Sequence, residues 1–179
     1  MIGFLRFIGV VNAAVWLGGA VFFSFFAAPA FFSPEMATTL GLPDTQFHSF
    51  IGRVAQVVIG RYFRFHLICL VIAAMHLLAE WLYLGRPSRK LSFGLLAVFC
   101  AITLFGGAWL QPKLQKLNQV RYSNAAAAER EDARKSFLLW HGISQALNLF
   151  MIGGLVVHVW RTTNPSDTPR FISSVKFRG

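Results

Sequence analysis

Two sets of polar side chains lie inside long apolar stretches of this sequence, where ionisable groups are costly and often functional. An ideal helix turns about 100° per residue. On that wheel the first set shares one stripe, which contains Tyr62, His66, Cys69, His76 and Glu80. The second set shares a face of a later segment and contains His141, Ser144, Gln145 and Asn148. We therefore expect both sets to face the interior of a helical bundle.

His66 and His141 have the most specific chemical interpretation. Each lies about four residues inside its apolar segment, so we expect both imidazoles roughly 6 Å inside the same membrane face. Two histidines on different helices could bind the iron of haem b or a metal ion. The alternative is a structural role, in which each imidazole forms a hydrogen bond with a neighbouring helix. The sequence contains no C-x-x-C-H haem-attachment motif.

The other candidates extend this polar site. His76 and Glu80 are four residues apart, which suits metal binding, proton relay or a salt bridge near the membrane interface. A third segment would bring Trp109, Gln111 and Pro112 to the same end as the two histidines. Zinc-type cysteine spacing, phosphate-binding glycine loops, nucleophile elbows and H-E-x-x-H motifs are absent. The sequence therefore favours a protein that is not an enzyme, unless a cofactor supplies the chemistry.

Composition indicates the elements that must position these residues. Apolar residues make up 55% of the chain, including 19 Phe, and charged residues only 13%, against about 25% in a typical soluble protein. Four apolar runs are long enough to cross a bilayer as helices; they cover residues 7–32, 62–84, 91–111 and 137–160. Apolar and polar residues do not alternate along these runs as they do in the strands of a membrane β-barrel. The sequence predicts one all-α domain over 1–179, a four-helix membrane bundle with a flexible tail at 161–179.

The connections between the spans have their own patterns. An apolar pattern at helical spacing predicts a short amphipathic helix that lies at the interface or leads into the second span; its residues are Phe47, Phe50, Ile51, Val54 and Val58. Residues 113–136 are polar and alanine-rich, which predicts a helical connector between spans three and four. Three glycine pairs would permit close helix approach; they are Gly18-Gly19, Gly106-Gly107 and Gly153-Gly154.

The net charge is +10, from 17 Lys and Arg against 7 Asp and Glu. The basic residues border the apolar runs, which favours contact with lipid headgroups over nucleic-acid binding. The lipid bilayer is therefore the expected partner, and nucleic acid is not. Basic residues are divided almost evenly between the two faces of the bundle, so the positive-inside rule does not separate them. The short, purely basic turn at 85–90 predicts cytoplasmic termini.

Several segments resemble a known family. Residues 109–113 read W-L-Q-P-K, and residues 141–149 read H-G-I-S-Q-A-L-N-L. With W-L-G-G at 16–19 and G-R-Y-F at 60–63, they resemble the transmembrane protein 205 family, whose bacterial relatives carry a domain of unknown function numbered 4149. The resemblance covers residues 10–155. It implies a small four-helix membrane protein without an established chemistry. The family is more distantly similar to copper-resistance proteins and to a haem-containing protoporphyrinogen oxidase family. This distant similarity does not identify any metal or haem ligand in the present sequence.

Three functions are compatible with these features. The first is an accessory or binding module of a larger membrane assembly, or a self-associating unit, in a bacterial inner membrane. The second is a redox protein that binds haem b or a metal through His66 and His141. The third is a transporter of a small solute or metal ion. The polar end of the bundle is where each of these functions would be located.

Overall fold

The computed structural model describes residues 2–84 and 90–164, and these are helical almost throughout, with no strand. These two ranges form seven α-helices: α1 Ile2–Phe22, α2 Ala28–Phe31, α3 Pro34–Leu40, α4 Asp44–Leu84, α5 Lys90–Phe105, α6 Gln111–Arg121 and α7 Ala127–Thr163. A π-helical turn joins α1 to α2 and another joins α5 to α6. Within the described residues, four helical stretches are long and apolar enough to cross a membrane, so the predicted all-α membrane bundle is confirmed.

The loop between the first two spans contains the short helix α3. The Ser33 hydroxyl accepts a hydrogen bond from the Met36 backbone N–H at 3.2 Å, and Pro34 begins the first turn. Gly41 ends the helix with a φ of 60°, in the left-handed region that glycine adopts without a Cβ clash. This reverses the chain from the end of α2 to the start of α4.

The second span is longer than its apolar run. The predicted amphipathic segment is the first part of α4, which continues unbroken for 41 residues, so this segment leads into the span instead of lying separately. Phe47 and Ile51 are each only 2% exposed because they pack toward the bundle. The polar connector forms α6 and the first turns of α7, as predicted, and α7 continues to Thr163. The basic residues at 85–89 and the tail at 165–179 lie outside the described residues.

Two π-helical turns carry the chain past prolines inside the first and third spans. The Ala28 backbone N–H donates to the Phe23 carbonyl, and the Gln111 N–H donates to the Gly106 carbonyl, each five residues back. Pro29 and Pro112 follow directly. Proline lacks an N–H and its ring crowds the carbonyl four residues earlier, so a wider turn before it lets the helix continue. Such turns are common at functional sites.

The core lies in the half of the bundle away from these π turns. Its central side chains are Trp16, Leu70, Phe99 and Leu155, which come from all four spans. The Asn12 side-chain amide donates to the Cys69 carbonyl at 3.0 Å and links α1 to α4. The remaining apolar side chains face outward in large numbers, as expected for a surface in contact with lipid.

Phenylalanine rings from neighbouring helices pack against the three glycine pairs. A Cβ built on Gly19 would lie 2.6 Å from the Phe65 ring, and one on Gly154 would lie 2.6 Å from the Phe99 ring. Gly106 receives Phe63 in the same way. The other member of two pairs, at 18 and 153, has nothing within 4 Å. The missing side chain of each of these glycines therefore leaves room for a phenylalanine ring of a neighbouring helix.

Candidate functional site

A cavity of about 520 Å³ lies at one end of the bundle, between α2, α4, α6 and α7. Its volume is within the range of known small-molecule sites, about 300 to 1,000 Å³. Both π-helical turns contribute to its wall, through Phe23 and Ser24 on one side and Gly106 and Leu110 on the other. The wall is mostly apolar, with polar groups at intervals along it.

The cavity gathers most of the polar residues that the sequence singled out. Those that line it are Tyr62, His66, Gln111, His141, Ser144, Gln145 and Asn148. They come from α4, α6 and α7. The expectation that the polar faces of the second and fourth spans converge beside residues 109–112 therefore agrees with the structure. Whether these residues have a function stays a prediction.

His76 and Glu80 do not belong to this cavity. They line a separate space of about 30 Å³ at the opposite end of the bundle, together with Ser92, His158 and Arg161. They share the face of His66, but ten residues of helix separate His76 from it, or about 15 Å at 1.5 Å per residue. The predicted single polar stripe therefore divides between two ends of the protein.

A chain of hydrogen bonds joins three helices beside the cavity. The Tyr62 hydroxyl donates to Asn148 Oδ1 at 2.8 Å, and Asn148 Nδ2 donates to the Ser24 hydroxyl at 2.6 Å. The Ser24 hydroxyl donates in turn to the Ala20 carbonyl at 2.7 Å. The Phe23 ring stacks on Tyr62 with centroids 4.1 Å apart. These groups satisfy one another, so they hold the wall together.

Two other polar contacts in the cavity wall have longer distances than these hydrogen bonds. The Gln111 amide donates to the Gln56 backbone carbonyl at 3.2 Å, and the Gln145 amide nitrogen lies 3.1 Å from His141 Nε2. The His141 ring stacks on Phe137 and remains exposed. Arg121 is the one Lys, Arg, Asp or Glu among the described residues that line the cavity.

The inner end of the cavity contains a histidine in a defined protonation state. His66 is 1% exposed, and its Nδ1 lies 2.7 Å from Trp16 Nε1. An indole N–H can only donate, so Nδ1 must be the unprotonated acceptor. In a neutral imidazole the proton is then on Nε2. His66 Nε2 has no hydrogen-bond partner among the described residues.

Two further buried polar atoms near the cavity lack partners among the described residues, Thr103 Oγ1 and Gln56 Oε1. A buried polar group without a hydrogen bond costs about 1–3 kcal/mol. All three atoms belong to residues that line this cavity. Gln56 and Thr103 were not among the candidate residues predicted from the sequence. Thr103 could have been noticed because it follows Leu96 and Phe99 by seven and four residues and therefore shares their helix face.

The two histidines do not lie at matched depth. The Tyr62–Asn148 hydrogen bond fixes the relative heights of α4 and α7, which run in the same direction. His66 is four residues deeper than Tyr62, and His141 is seven residues shallower than Asn148. The imidazoles are therefore offset by roughly 10–16 Å along the bundle, depending on helix tilt and side-chain reach.

These residues do not fit haem b as shared axial ligands. Besides the offset in depth, the proton on His66 Nε2 leaves that atom no lone pair for iron. Metal-binding histidines usually donate their second N–H to an acceptor, whereas His66 accepts a hydrogen bond from Trp16. Within the described ranges, no group of three His, Cys, Asp or Glu residues could hold a metal ion. Haem binding by His66 and His141 stays a prediction, and the relative positions of the two side chains do not favour it.

Comparison with known protein families gives a match over most of the chain. A family model described as a domain of unknown function (DUF4149) matches residues 11–123. No curated protein and no solved structure matches the chain. The matched region runs from α1 to just beyond α6, so it contains both members of the Trp16–His66 hydrogen bond.

Proposed function

The chain belongs to the DUF4149 family, whose description assigns no activity, and we propose that it is a binding module within the membrane. In this proposal the cavity holds one small, largely apolar molecule. We also propose a wider kinship with the transmembrane protein 205 family, which the H-G-I-S-Q-A-L-N motif at 141–148 supports.

The observation that carries the proposal is the cavity itself. About 520 Å³ of space remains between helices whose other half is closely packed. Its wall combines apolar surface with a few polar groups, which is the usual character of a small-molecule site. A bilayer supplies apolar molecules at high concentration, so a cavity of this kind would be filled from the membrane.

Access to the cavity is expected from the lipid side. The helix α7 packs mainly against α1 and α6, whereas α2 packs against α4. The cavity wall in this region includes Phe25, Phe32 and Leu149, and all three side chains are exposed. A chain-like molecule could enter between α2 and α7 without crossing the bundle core.

Transport is less well supported than binding. The cavity ends at His66, and beyond it Trp16, Phe99 and Leu155 fill the bundle. A solute would have to displace this core to reach the small space at the other end. The accessory role predicted from the sequence remains part of the proposal, with other membrane subunits or a second copy as partner. Location in a bacterial inner membrane and cytoplasmic termini also remain proposals.

A cavity-filling substitution tests the binding function. In Ser144→Phe a large ring would occupy the cavity, whereas Ala146→Phe, two residues away on the same helix, would face outward. Native mass spectrometry of protein released from its own membranes should show a one-to-one apolar adduct in the wild type and in Ala146→Phe. The adduct should be lost in Ser144→Phe. Equal adduct levels in both variants would contradict the proposal.

A further inference from the structure

The wall of the cavity also indicates which chemical group its ligand carries. We propose that the ligand has a neutral carbonyl oxygen that accepts a hydrogen bond from His66 Nε2, with its apolar chain extending toward α2 and α7. This inference rests on the proposed function, because it names the chemistry of the molecule that the cavity would hold.

The direction of the hydrogen bond follows from Trp16. Its indole N–H donates a hydrogen bond to His66 Nδ1, with 2.7 Å between the two nitrogens. The proton of the neutral imidazole is therefore on Nε2. The ring is 1% exposed and Nε2 has no partner in the described part of the chain. His66 lines the cavity, so the ligand atom that pairs with Nε2 must be an acceptor.

The surroundings of His66 favour a neutral acceptor. Arg121, the one formally charged side chain among the described residues that line the cavity, lies at α6's C-terminal end, far from Thr103 and His66. A carboxylate at the inner end would lose its hydration without an opposite charge to replace it. A carbonyl oxygen needs only donors, and both His66 Nε2 and the unpaired Thr103 hydroxyl can donate. A ketone, quinone or ester oxygen meets these conditions.

Infrared spectroscopy of the wild-type protein tests the hydrogen bond without any substitution. The protein in nanodiscs would be loaded with methyl decanoate or decyl benzoquinone, each isotope-labelled at the carbonyl, so that ester and quinone are separate arms. A carbonyl band shifted to lower wavenumber than in empty nanodiscs, and lost when Ser144→Phe replaces the wild type, is the expected result. An unshifted band for both bound probes would overturn the inference.

Affinity measurements separate recognition of the carbonyl from simple filling of the cavity. His66→Phe should weaken the better carbonyl probe about ten-fold, the effect of one buried hydrogen bond left unmade. It should leave decylbenzene, which has no carbonyl, unchanged. The control is His158→Phe, because His158 contacts the same Trp16 ring at 6.2 Å but lies outside the cavity. This control should leave binding of both probes unchanged.

The outcomes distinguish the two proposals. If decylbenzene and the carbonyl probes bind equally and Ser144→Phe abolishes both, the cavity binds ligands but the carbonyl inference is wrong. If no probe binds, or if Ser144→Phe does not reduce the binding of any probe, the proposed binding function is wrong. Should His66→Phe not fold, the infrared shift in the wild type decides the question.

Discussion

The glycine pair on α7 provides a sharp test of how the helices pack. We expect Gly154→Ala to destabilise the protein and Gly153→Ala, one residue earlier, to leave it unchanged or more stable. A Cβ at 154 would lie 2.6 Å from Phe99 Cε1 and 3.1 Å from Cζ. At 153 no atom lies within 4 Å of that position. The two substitutions are chemically identical and differ only in what the methyl group meets.

The magnitude follows from the surroundings of Phe99. This ring is 1% exposed and packs edge-on against Trp16, with centroids 5.3 Å apart, so it has little room to withdraw. Overpacking of this kind costs about 1–3 kcal/mol. Replacing glycine by alanine within a helix contributes roughly 0.5–1 kcal/mol of stability at either site. The difference between the variants should therefore be about 1–3 kcal/mol, with Gly154→Ala the less stable.

The assay is reversible unfolding in bicelles, followed by circular dichroism or by steric trapping. A double variant adds a check, because Gly154→Ala with Phe99→Leu should recover part of the loss when the smaller side chain makes room. Equal free energies of unfolding for Gly153→Ala and Gly154→Ala would refute the packing described between α5 and α7.

Two other predictions concern single side chains. Tyr62→Phe removes the hydroxyl that donates to Asn148 at 2.8 Å, and the free energy of unfolding in the same assay should fall by roughly 1 kcal/mol; an unchanged value would mean that this bond does not hold α4 to α7. Cys69 is 3% exposed and Cys100 is partly exposed, so a membrane-permeant maleimide should modify Cys100 first in the folded protein and Cys69 only after unfolding. Equal modification rates before unfolding would contradict the buried position of Cys69.

Much of the fold was predictable because span length and apolar composition are properties of the sequence itself. The runs at 7–32 and 137–160 lie almost wholly within longer helical stretches, since only helical backbone is satisfied in lipid over that length. The helical wheel also identified residues such as Tyr62 and Asn148, which meet across the bundle. Amphipathic spacing could not show that the segment at 47–58 is continuous with the second span, because continuity depends on contacts with other helices.

The other features of the site depend on how deep each residue lies along the bundle and on which helix it contacts. A helical wheel shows neither. His76 shares the face of His66 but lies at the other end of the bundle. The π turn before Pro112 shifts the helical register, so a constant 100° per residue no longer applies beyond it. The hydrogen bond between Trp16 and His66 joins residues 50 positions apart. Its effect on the imidazole proton could be known only once the two helices were placed together.

A high-resolution experimental structure of the protein purified with its native lipids would test the central claim most directly. Elongated density is expected inside the cavity of about 520 Å³, in contact with His66 and extending toward α2 and α7. A cavity closed by its own side chains, or one that contains only isolated water peaks, would contradict the claim that this protein is a binding module within the membrane.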